Sequence, residues 1–295
     1  MLGWRKNWVS DQPAFPLSFI SYLKMFSILI LTKDEEINMR DCMESVSWCD
    51  DVVVLDSLSE DATREMAQDM GARVYERPFD DFGSQRNYAL DEIEFKHPWV
   101  FHLDADERFN EELRAECERV IAEDVLSAYF VPNKIIFLGK WIKHCTQYPY
   151  PQVRLLKIGE VRFMKAGHGQ KEDTAERGVG HIHIPYDHYN FSKGIEDWLA
   201  KHNVYSSKEV DSAENMGRCS LGDLLSSDSM VKKRAMKSLF VRMPFRPWFK
   251  FIYLYVIKLG FLDGYPGLVY CRLQMMYESM IAIKRAELAQ KDKSK

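Results

Sequence analysis

Three apolar runs, each of strand length and each closed by a polar residue, constrain this chain more than anything else in it. FSILILT spans 26–32, DDVVVLD spans 50–56 and WVFHLD spans 99–104. Continuous runs of this kind belong to strands buried on both faces, as in a parallel sheet covered by helices. The segments between them read as helices. KDEEINMRDCMESV (33–46) opens with acids and sets Ile37, Met39, Met43 and Val46 at roughly helical spacing. SLSEDATREMAQDMGA (57–72) offers Ser59 or Asp61 as a cap, Ala62, Met66 and Met70 on one face, and Gly71 as a stop. RVYER is a third, short strand, and FGSQRNYALDEI starts another helix. The alternation predicts an α/β domain with a Rossmann-like, mostly parallel sheet.

Such sheets bind ligands beyond the carboxyl ends of their strands. Thr32, Asp56 and Asp104 each close a strand, so the sheet is expected to gather them along one rim. The last strand runs on into FHLDADERF (101–109), where Asp104 and Asp106 stand one residue apart with Glu107 directly behind. Like charges this close repel unless water screens them or a cation lies between them. A lone D-x-D is usually a solvated turn; three polar strand ends on one rim favour the cation. Hard oxygen ligands suit Mg²⁺ or Mn²⁺, with substrate phosphates completing the shell.

A phosphate-bearing ligand is therefore expected, but not a dinucleotide or a P-loop nucleotide. No G-x-G-x-x-G follows the first strand, and no G-x-x-x-x-G-K-[ST] occurs in the chain. Asp56 suits a ribose or base, Asp104 and Asp106 a metal-bound diphosphate, and Arg86 the phosphates themselves.

Composition narrows the class. At 295 residues and 46% hydrophobic, the chain holds one large domain or two modest ones. A formal net charge of −4 argues against a dedicated nucleic-acid binder. The six cysteines are scattered without a C-x-x-C pair, which suits a reducing, cytoplasmic setting and no zinc ribbon. The first 24 residues lack the apolar core and cleavage site of a secretory signal, and Met25 stands just before the first strand. The leader is thus expected to be peripheral to the fold, or a product of start-site choice.

FSILILTKDEE, VVVLDSLSEDAT, FGSQRNYAL and FHLDADE, in this order and spacing, resemble family 2 glycosyltransferases of the GT-A fold. The nearest branch is that of lipopolysaccharide core glucosyltransferases acting on a heptose. The resemblance covers residues 26 to 210 well and 250–270 more loosely. It implies inverting transfer of a sugar from a nucleotide diphosphate, commonly a UDP-sugar, to an acceptor hydroxyl. By the same resemblance Thr32 and Glu35 border the base, and Asp56, with Ser57 beside it, holds the uridine. Arg86 and Asn87 lie close to the donor, and Asp104 and Asp106 tie metal to diphosphate. An acid at the start of a downstream helix serves as general base, and within GHGQKED (167–173) Glu172 is the first candidate and Asp173 the second.

His168, His181, His183 and His188 cluster in sequence, with two of the HIH residues on one strand face. Their spacing matches no standard zinc pattern, so they read chiefly as hydrogen-bonded structural residues. If one of them binds metal it is His188, as a late ligand completing the D-x-D sphere.

After about residue 228 the composition changes. Residues 230–262 carry eight Lys or Arg, no acid, and interleaved aromatics. Basic-plus-aromatic character suits an anionic membrane surface. FIYLYVI is too short to cross a bilayer, so peripheral contact is expected. GFLDGYPG (260–267) reads as a turn and 268–290 as a closing amphipathic helix. The expected organisation is an extension over 1–25, a GT-A catalytic domain over 26–225, and a helical, basic-aromatic, membrane-proximal region over 226–295. The expected role is a cytoplasmic enzyme, peripheral to the inner membrane, that extends a cell-envelope or lipid-linked glycan. Two rivals are a sugar-nucleotide-binding scaffold without catalysis and a nucleotidyltransferase. The second is disfavoured by KDEE after the first strand, which would repel a triphosphate.

Overall fold

The computed structural model describes residues 25–166, 169–215, 228, 231–232 and 245–293. The leader, His168, Cys219 and most of the basic run between 229 and 244 lie outside the described residues, as do the side chains of 165–172.

Four parallel strands form the frame. β1 (Ser27–Thr32), β2 (Val52–Asp56), β3 (Arg73–Glu76) and β4 (Trp99–Asp104) stand in the order β3-β2-β1-β4. Three helices connect them: α1 (Glu36–Ser45), α2 (Thr63–Asp69) and α3 (Phe82–Glu92). Side chains alternate along each strand, so both faces of the sheet become cores. Ile28, Ile30, Val52, Val54, Phe101 and Leu103 pack toward α1, α2 and α4 (Glu111–Glu123). Leu29, Val53, Leu55 and Val100 pack toward α3.

Caps follow local chemistry. Asp81 accepts from the Ser84 amide at 2.9 Å and Asn110 from the Leu113 amide at 2.9 Å, closing the first turns of α3 and α4. α1 keeps Met39, Met43 and Val46 in the core, but Ile37 is exposed, and the inward turn is shared instead with Asn38 and Cys42. Asn38 is spent on hydrogen bonds to Glu35 at 2.6 Å and Ser192 at 2.8 Å.

Beyond β4 the direction changes. β8 (Pro151–Lys157) pairs antiparallel with β4, and β6 (Ala128–Phe137) antiparallel with β8. The far side of β6 takes two short parallel partners in turn, β11 (Val179–His181) and β12 (Tyr186–His188). Pro132, without an N–H, falls in the gap between them. β5 (Glu107–Arg108) pairs with β12, and β7 (Lys140–Trp141) with β6.

β9 (Val161–Ala166) and β10 (Gly169–Ala175) form a separate hairpin with an irregularity between Glu172 and Thr174. This corrects the expected helix start at KED: Lys171 and Glu172 pair with β9 and Asp173 falls at the irregularity, because VRFMKA supplies a strand with Val161 and Phe163 anchored in the core.

The C-terminal part is helical. α5 (Gly194–Asn215) and α7 (Gly264–Lys293) flank a short helix α6 (Arg246–Ile252), a π-helical turn (Tyr253–Ile257) and a 3₁₀ turn (Gly260–Asp263). α7 starts at Gly264, so YPG belongs to its first turn and not to the expected loop. Asp263 anchors the junction, accepting from the amides of Lys143, His144 and Cys145 at 3.1, 2.9 and 2.8 Å. A third core joins Trp198 of α5, Leu254, and Cys271 and Leu273 of α7 to Phe137 and Ile142.

Candidate functional site

Strand register builds the rim. Thr32 is the direct neighbour of Asp56, and Asp104 stands beside Leu31, so three polar strand ends meet within two adjacent ladders. Above them opens a cleft of about 960 Å³. Its sheet wall includes Thr32, Ser57, Asp104 and Asp106, its upper edge Phe79, Phe82 and Gln85, and its opposite wall Lys193, Asp197, Lys201 and Tyr205. Asp197, Lys201 and Tyr205 recur every four residues and so share one face of α5.

At the tip of β4 three acids face three cations. Asp104 receives Arg154 Nη2 at 3.0 Å and Arg86 Nη2 at 3.3 Å. Glu107, fully buried, accepts from Arg154 at 2.6 Å and from the Asp104 amide at 2.9 Å. Arg154 completes its set with the His102 carbonyl at 3.2 Å and the Tyr186 hydroxyl at 3.1 Å. Asp106 meets His188 Nε2 at 3.2 Å, while His188 Nδ1 lies 3.1 Å from the Asn133 amide nitrogen.

Burial works against charge on each of these groups, and the partners decide the outcome. Arg154 and Arg86 hold the Asp104 carboxyl well below the usual carboxylate range. Burial pushes the Glu107 carboxyl up in spite of Arg154. His188, although buried, is pushed up to about 9 by the Asp106 carboxylate. His102, beneath them, is held well below its ordinary value by burial and the neighbouring arginines.

The anticipated residues fall into three groups. Thr32, Glu35, Ser57, Asp104, Asp106 and His188 line the cleft together. Within it, Glu35 pairs with Lys193 at 2.7 Å, and the Thr32 hydroxyl is buried without a hydrogen-bond partner among the described residues. Asp56 and Arg86 are buried and Asn87 lines a separate hollow beside Phe163, so none of the three lines the cleft. Asp56 is fully buried and closes on Ser59, through its amide at 2.7 Å and its hydroxyl. Asn87 clamps the hairpin to α3, giving and receiving hydrogen bonds with the Phe163 backbone at 2.8 and 3.0 Å. Asp173 is exposed on β10 and is not among the residues that line the cleft. Glu172 lies on the same strand, with its side chain outside the described residues.

Sequence reasoning missed Arg154 and the α5 wall. The signal for Arg154 was a charge inside the apolar strand VRLL, which predicts a buried, fully paired guanidinium. The α5 wall carries no motif.

Among the described residues, no cluster of three or more His, Cys, Asp or Glu side chains is set to hold a metal ion by itself. Asp106 and His188 nevertheless line the same cleft, and a divalent cation completed by ligand oxygens would take the place of the proton that His188 Nε2 now shares with Asp106.

Residues 27–166 match the family described as glycosyl transferase family 2. An uncharacterized glycosyltransferase of Rickettsia conorii is 34% identical over 213 residues, 67% of this chain and 73% of that protein. The lipopolysaccharide core biosynthesis glycosyltransferase LpsC of Rhizobium meliloti is 25% identical over 198 residues, 65% of this chain and 73% of its own. Among solved structures, S. aureus TarS 1-349 covers 89% of this chain and 92% of its own at 14% identity. Its TM-score is 0.43, too loose a match to bear on function. Strand-end acids, parallel frame and kinship agree: the chain belongs to glycosyl transferase family 2 and is a glycosyltransferase.

Proposed function

We propose that this enzyme transfers a sugar, with inversion, from a nucleotide diphosphate sugar to a hydroxyl of a cell-envelope or lipid-linked glycan. UDP is the nucleotide we assign, and the cytoplasmic face of the inner membrane the place of work. The catalytic unit spans 26–225, with 226–295 as its membrane-proximal helical region. The observation that carries the reading is the β4 tip, where Asp104 and Asp106 open onto the cleft beside Thr32 and Ser57. The name of the Rhizobium meliloti relative supports an envelope acceptor.

The buried Thr32 hydroxyl, without a partner among the described residues, is placed to meet a nucleotide base, and the Ser57 hydroxyl stands close by on the same rim. Arg86 and Arg154 keep Asp104 ionised, and Asp104 and Asp106 with His188 would hold Mg²⁺ or Mn²⁺. When bound, such a cation supplies positive charge at the leaving diphosphate. In a single displacement the acceptor oxygen bonds to the anomeric carbon as the bond to the diphosphate oxygen breaks. The hydroxyl proton passes to a carboxylate, for which Glu172 is our first assignment and Asp173 the second. Lys193 and Lys201 line the acceptor side, each already paired, with Glu35 at 2.7 Å and Asp197 at 3.0 Å. They therefore present hydrogen-bonding edges and little net charge.

The test is calorimetric titration of UDP with Mn²⁺ and with EDTA, on the wild type and Asp106→Ala. Metal-dependent binding that disappears in the variant is the expected result. A folded wild type that binds no UDP under either condition overturns the UDP-sugar assignment.

A further inference from the structure

α6 is a helix without a buried residue. Its sequence, RPWFKFI, is nonetheless mostly apolar, and the π-helical turn that continues it buries Leu254 alone. Phe245 is 73% exposed, Trp248 59% and Ile257 67%, with Phe249, Tyr253 and Val256 between them also exposed. Leu259, Phe261, Leu262 and Tyr265 extend the same ridge into α7. Scattered surface hydrophobics need no explanation, but a continuous ridge of this kind marks a surface that meets something apolar.

We infer that this ridge is the docking surface for a bilayer rich in anionic phospholipid, inserting its aromatic side chains at the level of the headgroups. The inference deepens the envelope-glycan reading and rests on it for the choice of leaflet. Charge selects the occupant. Lys250 and Lys258 stand within the ridge, and the stretch 230–262 holds eight cations and no acid. A second copy of this chain docked about a two-fold axis would bring two copies of the same cationic surface together, which opposes association. An anionic lipid surface neutralises them and also accepts the aromatic rings. No described helix is long and apolar enough to cross a membrane, so the ridge lies in the interface.

The ridge is coupled to the cleft. Leu254, with Phe251 and Tyr255 beside it, packs in the third core against Trp198 and Leu199 of α5. The adjoining face of α5 carries Asp197, Lys201 and Tyr205 into the cleft. Lys284 of α7 ties the same helix down, reaching the Asn203 carbonyl at 2.5 Å and the Ser206 hydroxyl at 2.8 Å. Docking of the ridge therefore fixes the cleft at a set height above the headgroups, where a lipid-linked acceptor presents its glycan.

The test is sedimentation of the full chain with sucrose-loaded vesicles of phosphatidylcholine alone and of phosphatidylcholine with phosphatidylglycerol in a roughly 2:1 mixture. The wild type should sediment with the anionic vesicles and lose several-fold in partitioning between about 0.1 M and 0.5 M salt. Trp248→Ser with Phe249→Ser should lower partitioning by about tenfold or more while leaving the thermal melt unchanged, since both side chains are exposed. Wild type that stays in the supernatant at low salt overturns the inference, as does a variant that sediments like wild type. So does a concentration-dependent dimer abolished by the same substitutions. Vesicle binding is read without nucleotide, so its failure leaves the transferase reading standing, and loss of UDP binding leaves the docking result standing.

Discussion

Arg154 holds Asp104 from the side, reaching its carboxylate at 3.0 Å from the neighbouring antiparallel strand β8. The same guanidinium nitrogen lies 2.6 Å from Glu107. The D-x-D tip is thus fixed by a cation within the sheet and not by the turn alone. Arg154→Met should destabilise the protein by about 3–5 kcal/mol, because the buried Glu107 loses its cation and Asp104 keeps only Arg86. Arg154→Lys keeps the charge but loses the fork, so it should fold with a lowered melting temperature and weakened UDP binding. Calorimetry and thermal melts on the two variants check this; wild-type UDP affinity in Arg154→Lys would remove its positioning role.

Asn87 makes two hydrogen bonds to the Phe163 backbone. Asn87→Ala should cost about 1–3 kcal/mol through the stranded amide and carbonyl. The cost should fall on the hairpin, visible as faster amide exchange in β9 and β10 than in β1 and β2.

Asp51 is one of the carboxylates that make stability fall in acid. Burial opposes its charge, but Ser27, the Lys96 amide and Arg73 hold its carboxyl below the ordinary value. A depressed folded value means the stabilisation is fully present above the unfolded value near 3.9 and is lost as pH falls through the folded one. Asp51→Asn should lower stability at neutral pH and flatten its decline below about pH 4, measured by urea unfolding across that range.

For the general base, Glu172→Gln should lower kcat by about 10²–10⁴-fold with little change in donor KM. If Asp173→Asn does so instead, the roles are exchanged. Unchanged kcat in both sends the assignment elsewhere.

The parallel frame was legible because each of its buried strands is an unbroken apolar run and the segments 33–46 and 57–72 carry apolar residues at helical spacing. The rim followed from it, since strand ends collect wherever strands run parallel. Local periodicity could not distinguish KEDTAER as a strand from a solvated helix start, because its conformation is set by pairing with VRFMKA. Ile37 had the right spacing for the core, yet Asn38 took the inward place through its bonds to Glu35 and Ser192, partners distant or invisible to a hydrophobicity count. The α5 wall was illegible for the same reason: Lys201 and Tyr205 acquire meaning only once α5 is laid across the cleft by the third core.

The two walls of the cleft rest on different foundations. One belongs to the sheet, and its acids on β4 lie within the match to the family, which ends at residue 166, ahead of β12 and His188. The other is borne by α5, whose footing is Trp198 packed with Leu254 and Leu273. A substitution in that footing shifts one wall and leaves the acids of β4 where they are. Residues that never touch a ligand therefore govern the width and lining of the far wall, independently of the near one.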